Sequence, residues 1–138
     1  MKSSEIIRYF VISILAIAFF ALCFFTFVQG FPLPDQPSAS EVASITLSYN
    51  DSENDTTTEI TDSSEISTFL YGAFPLCYYR IIGTTEGSSI IDIVYTLTDG
   101  STLEMSVNET TVWWNGKAYP LMDKGAIVEA IETLYLNN

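Results

Sequence analysis

The chain has 138 residues, no histidine, and 17 Asp or Glu against 5 Lys or Arg, a formal net charge of −12 at neutral pH. Beyond Gly30 the imbalance sharpens to sixteen acidic residues against Arg80, Lys117 and Lys124, or −13. Nucleic-acid binding is disfavoured, because phosphate recognition starts from a positive patch, and anionic lipid headgroups are expected to repel the same surface. Without histidine, the commonest general base and metal ligand is also missing.

From Tyr9 to Val28 the chain runs twenty residues without a charge. That length crosses the hydrocarbon core of a bilayer as a helix. Lys2 and Arg8 precede the run and no basic residue follows until Arg80, which places the N-terminus in the cytoplasm and the bulk of the chain outside. A cleaved signal peptide has a shorter apolar stretch, of roughly 7–15 residues, ending at a small-x-small site. Val28-Gln29-Gly30 is an indifferent site, so an uncleaved single-pass anchor is expected, with secretion after cleavage as the alternative. Cys23 follows Leu22 rather than a small residue, which argues against lipoprotein acylation. Cys77 stands alone outside the run, so no disulfide is expected within the domain. Residues 1–30 are thus read as the anchor. Residues 31–40, with three prolines, form a stalk, and 41–138 an extracytoplasmic domain.

In that domain Ser44 to Tyr49 alternates, with Ile45, Leu47 and Tyr49 on one face of a strand. Asn50 to Asp55 is a polar loop and Thr56 to Thr61 a returning strand. Asp62 opens a helix as its cap, with Glu65 three residues later; Ile66, Phe69, Leu70 and Ala73 make the apolar stripe, and Pro75 stops it. Ile91, Ile93, Tyr95 and Leu97 share one strand parity, and Leu103, Met105 and Val107 form the next set. A three-residue turn, Thr98-Asp99-Gly100, matches apolar to apolar across this hairpin, pairing Tyr95 with Leu103, whereas a two-residue turn mismatches them. Val107 and Val112 flank a four-residue loop, and Asn115-Gly116 is a two-residue hairpin that sets Val112 opposite Tyr119. A final helix, with Asp123 as its cap, carries Ile127, Val128, Ile131, Leu134 and Tyr135 on one face and turns Glu129, Glu132 and Thr133 away. The expected class is α+β: an N-terminal transmembrane helix, then an antiparallel sheet of five or six strands with two helices packed on one face.

Little of this pattern points to catalysis. There is no nucleophile-elbow or phosphate-loop motif, and the acidic residues fall where exposed faces are expected, so a non-enzyme without a cofactor is the reading. One run does suggest a metal: Asp51, Glu53 and Asp55, continuing to Thr57, Glu59 and Asp62, follow the ligand spacing of a calcium loop. Thr56 replaces the required glycine, however, and Asp62 the bidentate Glu. Trp113 and Trp114 are adjacent in a strand and must face opposite sides; with Val112 and Tyr119 in the core, Trp113 faces out as a candidate interaction anchor. Asn50, Asn54 and Asn108 each begin an N-x-Ser/Thr glycosylation pattern.

The layout of apolar anchor, Pro-rich stalk, then EVASITLSY, DSSEISTFL, TLTDGSTLEMSV and VWWNGKAYPL before a terminal helix resembles small envelope-anchored domains of unknown function from Gram-positive bacteria. The resemblance implies a cell-envelope setting and brings no catalytic residues. The function expected is therefore a membrane-tethered, extracytoplasmic, non-enzymatic module that binds a protein or envelope component through its acidic sheet surface. The alternative is a calcium-dependent or enzymatic module using the carboxylates from Asp51 to Asp62.

Overall fold

A computed structural model describes residues 2–50 and 56–136. Among the described residues the protein is α+β, with three α-helices and a six-stranded antiparallel sheet. Helix α1, Ser3–Phe24, carries no charge after Arg8 and buries none of its residues; it is the one helix among the described residues long and apolar enough to cross a membrane. A π-helical turn, Phe25–Gln29, ends it, and Gly30 breaks away with a left-handed φ of 77°.

The sheet comprises β1 Val42–Tyr49, β2 Thr57–Ile60, β3 Ile91–Leu97, β4 Thr102–Val107, β5 Thr111–Trp114 and β6 Lys117–Pro120, in the order β2-β1-β3-β4-β5-β6. Strands β2 and β3 both run antiparallel to β1 and so are parallel to each other; helix α2, Ser63–Leu76, is the crossover between them. From β3 onward the chain is a meander of tight hairpins. Tyr95 pairs with Leu103, Ile93 with Met105 and Ile91 with Val107, the register of the three-residue turn. Gly100, at φ 90°, supplies that turn's left-handed residue. Val107 faces Val112, and Asn115 and Gly116, both at positive φ, close the hairpin in which Val112 faces Tyr119.

Apolar side chains from the matched parity make the core: Ile45, Leu47, Ile91, Ile93, Tyr95, Met105, Val107, Val112 and Trp114 are all buried. Helix α2 closes on them through aromatic contacts. The ring of Phe74 stacks on Tyr95 at 5.8 Å and meets Trp114 edge-on at 5.6 Å, while Phe69 lies 6.3 Å from Tyr95. Asp62 caps α2 as expected, its carboxylate accepting from the backbone N–H groups of Ser64 at 2.8 Å and Glu65 at 3.2 Å. Pro75 lies inside the last turn, and the helix ends one residue after it, at Leu76.

Three expectations give way to tertiary structure. The Pro-rich segment does not stand free of the domain. Phe31 pairs with Tyr79 through two backbone hydrogen bonds of 2.9 Å, Leu33 is 3% exposed within the core, and the carbonyl of Pro34 accepts from the Trp114 indole N–H at 2.7 Å. A buried indole needs an acceptor, and a proline-rich strand, poor in backbone donors but rich in free carbonyls, is a ready source. Asp123 does not cap the last helix. Helix α3, Ala126–Ile131, begins at left-handed Gly125, whose N–H is held by the carbonyl of Glu109 at 2.7 Å.

The third correction concerns the end of that helix. Past Ile131 it widens into a π-helical turn, Glu132–Leu136. An i to i+5 step carries the buried stripe from Ile131 to Leu136, leaving Leu134 71% exposed. The same widening turns Glu132 inward. It is half-buried, and burial, aided by the charge of Glu132, pushes the Tyr49 hydroxyl above its ordinary pKa.

Candidate functional site

Trp113 stands where the alternation places it. On β5, Trp114 is buried at 1% exposure, whereas Trp113 is half-buried on the opposite side of the sheet, across from Ser106 and Ala118. Its neighbours on that side are polar and small. The Asp92 carboxylate accepts from the hydroxyls of Ser106 at 2.7 Å and Ser89 at 3.2 Å, and Ser89 in turn takes the amide of Asn50. This cross-strand network occupies the carboxylate and orders the surface around β3 and β4.

A second feature was not anticipated. Between α2 and the terminal helix lies an apolar hollow of about 200 Å³, lined by Phe69, Gly72, Ala73, Leu76, Ile127, Ala130, Ile131 and Leu134. The space beside Gly72 is open, since a Cβ there would meet nothing within 4 Å. Through Thr68, Leu134 and Tyr135 the hollow adjoins a wider one of about 450 Å³, whose walls include Glu59 and Glu65. Burial, aided by the charge of Glu65, pushes the Tyr135 hydroxyl above its ordinary pKa. The groove is thus apolar at one end and acidic at the other.

The domain's cations are engaged elsewhere. Lys117 lies 5.4 Å over the Tyr119 ring, and Arg80 and Lys124 line a separate small hollow with Gly83, Glu86 and Pro120. Sequence signals for the groove existed in the helical spacing of Thr68 and Gly72, four residues apart, but the partner helix that makes this a groove is contributed by tertiary packing.

The calcium-loop residues Asp51, Glu53 and Asp55 lie outside the described residues. Of the rest of that run, Asp62 is engaged as the α2 cap and Glu59 lines the acidic end of the groove. Among the described residues, no three metal-ligating side chains are grouped. Cys77 is fully buried, and burial pushes its thiol up to about 12, so it stays protonated and acts as a small apolar residue.

Asn108 is a structural residue. Its amide N–H groups donate to the carbonyls of Glu86 at 2.7 Å and Ser88 at 3.1 Å, while its oxygen accepts from the N–H groups of Thr110 and Thr111. A buried amide so fully used has no nitrogen to offer for glycosylation. Compared with protein-family models, curated proteins and solved structures, the chain gives no match.

Proposed function

We propose that the protein is a membrane-tethered, non-enzymatic binding module. Residues 9–28 cross the membrane once, and the domain is held outside the cytoplasm to bind a protein or envelope component. The length and apolar character of α1 support the tether. The basic residues Lys2 and Arg8 on its N-terminal side support the orientation. In this reading α2 and the terminal helix cover the same face of the sheet, and the groove between them, with Glu59 and Glu65 at its end, is the binding surface. Trp113 on the opposite side is the second candidate anchor.

The observation that carries the proposal is the pairing of an apolar floor with the carboxylates of Glu59 and Glu65, while Arg80, Lys117 and Lys124 lie at other sites, a combination suited to a basic amphipathic segment. A second copy of the domain is disfavoured there, because two surfaces of the same strong negative charge repel. Titration of the full chain in nanodiscs with a fluorescent cationic amphipathic peptide tests this. The Glu65→Lys variant is expected to weaken binding about tenfold, equivalent to ~1.4 kcal/mol, while Trp113→Ala leaves it unchanged. The reverse pattern assigns binding to the open side of the sheet. Protease added to intact cells tests the tether, and should release the domain while sparing the anchor. A free domain in the medium beginning near Phe31 would instead mark cleavage.

A further inference from the structure

Two neighbouring isoleucines, Ile81 at 59% and Ile82 at 72% exposure, stand out in water beside the exit of the anchor. Their position follows from strand direction. The chain leaving α1 enters Phe31, which pairs antiparallel with Tyr79. Residues after Tyr79 therefore run back alongside Gly30, toward the anchor. Phe31 is three residues past Val28, and Ile82 is three residues past Tyr79. Arg80 thus stands beside Gly30, and Ile81 and Ile82 form the outside of a tight turn, since a Cβ on Gly83 would come within 3.7 Å of that of Arg80. The tip of that turn is only a few residues along each chain from the end of the apolar run, and the interfacial layer of a bilayer is roughly 5–8 Å deep on each side.

The loop is braced rather than slack. The Arg80 N–H donates to the Pro120 carbonyl at 2.9 Å, and Gly83 packs so closely on the Pro120 ring that a Cβ would come within 2.9 Å of it. Gly30 is equally tight, since a Cβ there would stand 2.6 Å from the Tyr79 carbonyl, so the anchor and the loop are held to one another. Around this point lie all three basic residues of the domain. Arg80 begins the loop, Lys124 shares a hollow with it, and Lys117 rests on Tyr119, whose ring is 4.5 Å from that of Tyr79. Glu86 lines the same hollow, Asp123 precedes Lys124, and Glu104 and Glu109 lie on adjoining segments, so this end mixes both signs, while the rest of the domain carries carboxylates without a basic residue.

We propose that the Ile81–Ile82 tip inserts into the bilayer interface beside the protein's own anchor, giving the domain a second membrane contact and one fixed orientation. Apolar tips flanked by Tyr and Arg suit that layer, where aromatic rings and long cationic stems keep their polar ends wet. The proposal rests on the anchor lying in a membrane, and the experiment separates the two. The full chain is reconstituted in phosphatidylcholine nanodiscs containing a lipid with a nitroxide at a shallow acyl position. An environment-sensitive fluorophore is attached at Cys23 in the parent chain, or at Ile82→Cys or Tyr71→Cys in a Cys23→Ser background; buried Cys77 does not compete for the label. Loss of most of the emission at position 82, with none lost at position 71, is the expected result. Quenching at Cys23 without quenching at 82 overturns the insertion and leaves the anchor standing. No quenching at Cys23 overturns both.

Discussion

Helix α2 and the terminal helix are built from similar apolar stripes and share one groove, yet they form by different means. Helix α2 runs fourteen residues, is capped by Asp62, and presents Ile66, Phe69, Leu70, Ala73 and Phe74 at regular helical spacing. The terminal helix holds α geometry for six residues, starts at a left-handed glycine with no side-chain cap, and widens before it ends. The first satisfies its own backbone ends. The second relies on neighbours: Glu109 holds its start, and at its end the Thr58 hydroxyl donates to the Tyr135 carbonyl at 2.8 Å. A helix with strong local signals keeps its register, whereas one without them takes the register that packing demands.

The largest test of this contrast is Phe74→Ala, which removes the ring wedged between Tyr95 and Trp114. It should cost about 3–5 kcal/mol in denaturant melts of the full chain in detergent. A loss below about 1 kcal/mol would mean that α2 does not close the core. Next comes the register of the terminal helix. Leu136→Ala should cost about 2 kcal/mol and Leu134→Ala no more than about 0.5 kcal/mol. A regular helix through residue 136 would place Leu134 on the buried stripe and reverse the order.

Gly72→Ala should stabilise by about 0.5–1 kcal/mol, because the position is an ordinary helical one with open space beside it. Gly72→Leu should keep that gain while filling the groove and abolishing peptide binding, which separates the groove's function from its stability. Unchanged binding would remove the groove as the site.

The smallest effect distinguishes the two N-termini. The hydroxyl of Ser64, with the backbone N–H groups of Glu65 and Ser64, holds the Asp62 carboxyl below the usual carboxylate range. A depressed pKa in the folded state contributes stability that is fully present above the unfolded value of about 3.9 and is lost as pH falls through the folded one. Asp62→Ala should therefore lower the melting temperature slightly at neutral pH, with the difference from the parent closing in strong acid. Asp123→Ala, at a position that does not cap the terminal helix, should leave the melting temperature at neutral pH in place.

Much of the meander was legible in the sequence because period-two alternation and turn chemistry are local and mutually constraining. Only one turn length sets Ile91, Ile93 and Tyr95 against Val107, Met105 and Leu103, and Asn115-Gly116 supplies the positive φ values its hairpin needs. The outward Trp113 and inward Trp114 followed from the same parity. The groove was not legible in this way, since its walls are residues more than fifty positions apart, joined only when two helices meet.

By itself, then, the sequence determined the apolar N-terminal helix, the registers of the meander, the α2 cap and the charge of −13 beyond Gly30, all properties of composition or of neighbours along the chain. Only the tertiary structure decided that the proline-rich segment is fastened to the core, because a carbonyl at residue 34 meets an indole eighty positions later. It also decided the phase of the terminal helix, set by the residues it must pack against. Last, it decided where the charge lies: the sum predicts repulsion from a membrane, but electrostatic forces act between positions. The fold sets Arg80 and Lys124 along one hollow and Lys117 over the Tyr119 ring, on the side where Phe31 pairs with Tyr79.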